Sequence, residues 1–215
     1  MKKIILILIL EILFFSCSAK KDIKDSKRYF DKNNVEISKS KFKNRKFGGK
    51  TIVVSGDSIN HVRLVLKEKH GKLSEMQLDK LKKYLSIEDE INNKDKLIVI
   101  IYYPGKDKSI VIKRYSGWNV FDKDYLRELN RISDVSHHWI YKDDENLKYY
   151  YKGIIDWRKD NGHLIEELFF NYNYPFSSCV VINSNGSFIT HYGEFGKQKV
   201  WELSKKLKRM RRKGI

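Results

Sequence analysis

From residue 51 onward the apolar positions come in short blocks separated by polar stretches. Leu97–Ile98–Val99–Ile100–Ile101–Tyr102–Tyr103 has no polar break and ends at Pro104–Gly105. Such a run predicts a central strand covered on both faces. Thr51–Ile52–Val53–Val54 predicts a short strand after the Gly48–Gly49 turn. Val62, Leu64 and Leu66 alternate with Arg63, Val65 and Lys67, a strand spacing that a helix could also satisfy. Leu78, Leu81 and Leu85 step by three and four behind Ser74 and Gln77, which have capping-box spacing, and this predicts a helix over 74–86. Asp122 stands where it can cap a helix carrying Tyr125, Leu126, Leu129 and Ile132. Trp139–Ile140–Tyr141 predicts a short strand, and Leu164, Ile165, Leu168 and Phe169 a helix preceded by Asp156 or Asp160. Cys179–Ile182 and Ser187–Tyr192 flank Asn183–Ser184–Asn185–Gly186, a hairpin pattern with a tight reversal. Val200, Leu203, Leu207 and Met210 mark an amphipathic final helix whose basic end complements the helix dipole.

The first residues follow another logic. Lys2 and Lys3 precede an apolar run, Ile4 to Phe15, interrupted only by Glu11, and Ser16–Cys17–Ser18–Ala19 closes it. The run is short for a transmembrane span and has the layout of a signal peptide. A cysteine at its end resembles a bacterial lipobox, with Phe14 where that box usually has Leu. The resemblance implies removal of residues 1–16, acylation of Cys17, and a cell-envelope protein held by membrane lipid and facing outside the cytoplasm. Residues 17–50 are polar and lysine-rich and read as a tether and N-terminal extension, with ordered pieces near Val35–Ile37 and Phe42–Phe47. Residues 51–215 read as the folded domain.

Charge narrows the partners. The chain has 44 Lys and Arg against 27 Asp and Glu, a formal net charge of +17. The cations are spread out, with the densest cluster at KKLKRMRRKG, residues 205–214. This balance favours an anionic surface, a peptide or a polysaccharide. Nucleic acid would satisfy the same charge, but an exported lipoprotein is not expected to meet it.

From residue 97 the element order is strand, helix, strand, helix, hairpin, helix. That order, with YPFSSCVVINSNGSFITHYGEF at its close, resembles an exported thioredoxin-like domain. The N-terminal FDKNNVEISKSKF is similar to the extension preceding that domain. The resemblance covers roughly residues 30–210. It implies an α/β fold, a central mixed sheet flanked by helices, and it makes Pro175 the counterpart of the family's cis-proline. The redox motif is missing. Where a thioredoxin has Trp-Cys-x-x-Cys at a helix start, this chain has Tyr103–Pro104–Gly105–Lys106–Asp107–Lys108. With Cys17 acylated, Cys179 is the one remaining thiol, and a lone cysteine inside a strand pattern is usually a small core residue.

Other chemistry finds little support. The vicinal pair His137–His138 would point to opposite faces of a strand, and no spacing brings three metal ligands together. Asp156, Asp160, Glu166 and Glu167 fit helix capping and a solvated face as well as paired carboxylates. Aromatics concentrate at Tyr149–Tyr151, Trp157, Phe169–Phe170, Tyr172, Tyr174 and Phe176, as core or as a groove lining. No catalytic residue, cofactor or metal is assigned. The sequence therefore points to a membrane-anchored, non-catalytic binding or assembly module. The alternative is a single-cysteine redox enzyme using Cys179, or an envelope hydrolase. Burial of Cys179 separates these readings.

Overall fold

The computed structural model describes residues 27–56, 60–87, 96–105, 124–145, 147, 155–172, 174 and 177–212. Cys17, Asp122 and Pro175 lie outside them.

The described chain builds two sheets. The first comprises β1 (Arg28–Phe30), β2 (Glu36–Ile37), β3 (Thr51–Ser55) and β4 (His61–Leu66), in the order β2-β1-β4-β3. Helix α1 (Lys39–Phe47) joins β2 to β3, capped by the Ser38 hydroxyl, which accepts from the Lys41 amide. Residues 28–47, in the segment read as tether and extension, are therefore strand and helix. Asp31 ties them together. Its carboxylate accepts from the Asn33 and Val35 amides and from Arg45 at 2.7 Å, and these bonds hold its pKa below the ordinary carboxylate value.

The second sheet has six strands in the order β5-β10-β9-β6-β7-β8. They are β5 (Glu68–Lys72), β6 (Leu97–Tyr103), β7 (Val135–Tyr141), β8 (Trp157–Lys159), β9 (Ser178–Asn183) and β10 (Ser187–His191). β6, β7 and β8 run parallel; β9 is antiparallel to β6, β10 to β9, and β5 to β10. Helices α2 (Glu75–Leu85) and α4 (Leu164–Phe169) cover one face, and α3 (Tyr125–Ile132) and α5 (Lys197–Arg212) the other. This is a mixed sheet flanked by helices, an α/β architecture.

The hydrophobic pattern explains the layering. Every residue of β6 is buried. Ile98, Ile100 and Tyr102 pack with Leu78, Leu81 and Leu85 of α2 and with Ile165 and Phe169 of α4. Leu97, Val99 and Ile101 pack with Tyr125 and Leu129 of α3 and with Val200, Leu203 and Leu207 of α5. Burying each such Leu or Ile contributes about 1.5–3 kcal/mol before entropy is counted. Ile52, Val54 and Val65 of the first sheet join the α2 side of this core.

Local signals act where the sequence puts them. Ser74 and Gln77 form the capping box in both directions. In the β9–β10 turn the Ser187 amide donates to the carboxamide oxygens of Asn183 and Asn185, and Gly186 takes φ +83°. Helix α3 starts after Asp124, whose carboxylate makes no capping bond and instead meets Lys197 Nζ at 2.5 Å, joining the starts of α3 and α5.

Candidate binding groove

β5 and β10 bring two residues far apart in the chain side by side: Glu68, the first of β5, pairs with His191, the last of β10. The chain then passes Tyr192–Gly193–Glu194–Phe195–Gly196 and enters α5. Gly193 takes φ +88°, and a Cβ there would lie 2.5 Å from the Tyr174 ring, so this turn requires glycine. On the other side stand Gly49 and Lys50, ahead of β3, and Leu66 and Lys67, where β4 runs into β5. Together they enclose an open groove of about 750 Å³. Its apolar surface comes from Leu66, 42% exposed, and from Phe195, whose ring sits edge-on to His191. Its charged lining is mixed: Lys50, Lys67 and Lys199 against Glu68, Glu194 and Glu202.

Glu68 is the electrostatic centre. Lys206 Nζ donates to it at 3.1 Å and Lys199 Nζ at 3.4 Å, and His191 Nδ1 lies 4.0 Å away. Burial alone would raise the Glu68 pKa, but the two lysines outweigh it and hold the carboxylate below its ordinary value. Burial likewise opposes the charge on Lys199, and Glu202 at 2.7 Å together with Glu68 more than reverses this. His191 goes the other way. Burial, with the nearby charge of Lys199, lowers its pKa to about 4. Its Nδ1 is sealed from solvent and has no hydrogen-bond partner. A neutral imidazole with no carboxylate in hydrogen-bond reach, beside lysines already paired with acids, is poorly equipped for proton transfer.

The residues singled out from the sequence are scattered. Cys179 lies in β9 with no exposed surface, among Val181, Ile101 and Val200, and burial pushes its thiol pKa well up. His137 and His138 point to opposite faces, as alternation requires: His137 Nε2 meets the Tyr125 hydroxyl at 2.9 Å, and His138 Nε2 meets Ser136 Oγ at 2.9 Å. Burial lowers their pKa values to about 3 and about 4. Asp160 is buried and caps α4, accepting from the Ile165 and Glu166 amides and from the Tyr84 hydroxyl. Burial and the Asp160 charge push the Tyr84 pKa up to about 12. Glu166 is held between Lys142 at 2.6 Å and His163 at 3.0 Å, while Asp156 and Glu167 are exposed. Phe169 and Phe170 are core, and Trp157 packs edge-on to Trp139. Among the described residues no three His, Cys, Asp or Glu converge as metal ligands.

Glu68, His191, Lys199 and Lys206 carry no sequence signal of their own. Glu68 is one acid between two lysines, and His191 ends a strand pattern. No protein family profile, curated protein or solved structure matches this chain.

Proposed function

We propose that this chain is a lipid-anchored, non-catalytic binding module on a thioredoxin-like scaffold, and that its groove takes an extended peptide segment of an envelope partner. The scaffold reading is supported by the inner strand order β7-β6-β9-β10, one parallel pairing followed by two antiparallel ones, with paired helices on each face. Along the chain the elements run β6, α3, β7, α4, β9, β10, α5, with the short strand β8 inserted before α4, and apart from β8 this is the element order that carries the sequence resemblance. The anchor reading rests on residues 1–17 and is tested by intact mass: a diacylglyceryl adduct on Cys17 supports it, and an unmodified Cys17 refutes it. Sealing of Cys179 argues against thiol exchange, because the reactive species is the thiolate and it must be reached.

The observation that carries the peptide reading is the groove lining, which combines the apolar Leu66 and Phe195 with three cations and three acids. A uniformly anionic polymer would be repelled by half of these charges. A peptide carrying one apolar side chain and both signs of charge suits Leu66 and Phe195 together with Lys50, Lys67 and Glu194, while Glu68, Lys199 and Glu202 are engaged with one another. The experiment is selection of a displayed peptide library on the full chain, repeated with Leu66→Arg and Phe195→Ala. We expect enriched peptides of that composition, bound about tenfold or more weakly by each variant. Failure to enrich any peptide, or binding by both variants as tight as by the unmodified chain, refutes the reading.

A further inference from the structure

A second surface stands apart from the groove. Trp201, Lys205, Lys208 and Arg209 of α5 occur at i, i+4, i+7 and i+8, one stripe along the helix. They face Glu128, Arg131 and Ile132 of α3 across a shallow cleft of about 380 Å³. The buried face of α5, with Val200, Leu203, Ser204 and Leu207, holds the stripe outward. The single acid in the cleft is already occupied: Glu128 pairs with Arg131 at 2.6 Å and with Arg127 at 3.5 Å. Lys208 Nζ donates to the Ile132 carbonyl at 2.5 Å. Lys205 and Arg209 are exposed and have no acidic partner among the described residues. Trp201 is half-buried, and its indole N–H is spent on the Tyr125 carbonyl at 3.1 Å.

We infer that this stripe docks the domain on the phosphate plane of an anionic phospholipid bilayer. Cations repeated along one side of a helix form a flat array, which matches a flat array of headgroups better than a point ligand. Trp201 adds what a soluble polyanion does not use. With its N–H already satisfied, the exposed part of its ring is apolar and suits the headgroup–acyl boundary. The docking is independent of the peptide groove and holds with or without a lipid on Cys17.

The test compares the full chain in vesicles of phosphatidylcholine alone with vesicles containing about one third phosphatidylglycerol. Protection is read over 205–212 alone, so a difference between the two vesicles reports α5 and not the N-terminal attachment. Amide hydrogen exchange over 205–212 should slow several-fold in the anionic vesicles only, and this protection should vanish at about 0.5 M salt. K205E/K208E/R209E should abolish it. K41E/K43E/K46E, the same charge change on the exposed side of α1, should leave it intact. If the first variant loses helicity by circular dichroism, K205Q/K208Q/R209Q replaces it with the same expectation. Equal protection in both vesicles, equal protection by soluble polyphosphate at matched phosphate, or protection that survives loss of the three α5 cations overturns the inference.

Discussion

His191 makes a quantitative demand on acid stability. It is 6% exposed and faces Glu68 on β5, Lys199 on α5 and Lys67 beside the strand. Burial and the lysines keep it neutral, with a pKa of about 4 against 6.5 for an ordinary histidine. The unfolded chain therefore binds the proton more readily than the folded one. The stability contribution is complete above pH 6.5 and is lost as the pH falls toward 4. Integrating the proton difference between pH 7 and pH 5 gives a loss of about 2 kcal/mol, a substantial fraction of a typical domain stability of about 5–15 kcal/mol. Urea unfolding of the full chain and of His191→Gln at both pH values isolates this amount, because His137 and His138 titrate in both proteins. The wild type should lose about 2 kcal/mol more than the variant. Equal losses would show that His191 is not held neutral by its surroundings, and the electrostatic account of the groove would fail with it.

Two further outcomes follow from buried groups. Cys179, with no exposed surface, should alkylate in the native chain about 10³-fold or more slowly than in denaturant, because the thiol is reached only through opening of the fold; a rate within tenfold of the unfolded one would restore the redox reading. Asp160→Ala strips a cap from two α4 amides and a partner from Tyr84, and should cost about 2–4 kcal/mol in urea unfolding while leaving peptide binding unchanged. A cost below about 0.5 kcal/mol would mean the carboxylate is not a structural cap.

What was legible in the sequence follows what burial imposes. β6, β9 and α2 were readable because their side chains meet the core, which forces apolar residues into strand or helix spacing. β5 was not, because Glu-Lys-His-Gly-Lys is an edge strand: its backbone pairs with β10 while its side chains stay largely in solvent. The sequence signal for β7 starts only at Trp139, four residues after the strand itself begins at Val135, because Val135–His138 pair with β6 but not with β8, are half-buried and show no apolar alternation. Asp160 fitted a cap and a catalytic acid equally well in one dimension, and only the two amides converging on it decide between them. The groove was hidden for a related reason. Glu68, His191 and Lys199 are joined by strand pairing and helix docking, and none carries a local spacing that announces the other two.

Helix α5 connects the two proposed surfaces. Gln198, Lys199 and Glu202 in its first half frame the groove, and Lys205, Lys208 and Arg209 in its second half carry the basic stripe. A helix of 16 residues is about 24 Å long. A domain resting on the bilayer along the Trp201–Arg209 stripe would therefore lay α5 along the membrane plane, with the groove lining toward the Gln198 end of the helix. The chain between Cys17 and Lys27 spans at most about 35 Å when extended, which bounds how far the start of β1 can stand from an anchored Cys17. The anchor would keep the domain at the membrane, the stripe would orient it, and the groove would be presented to a partner's peptide. Reversing the α5 charges should then abolish the lipid-dependent protection of 205–212 and leave peptide binding in solution unchanged, since the groove lining shares no residue with the stripe. A joint loss of both would mean that the two surfaces are one site.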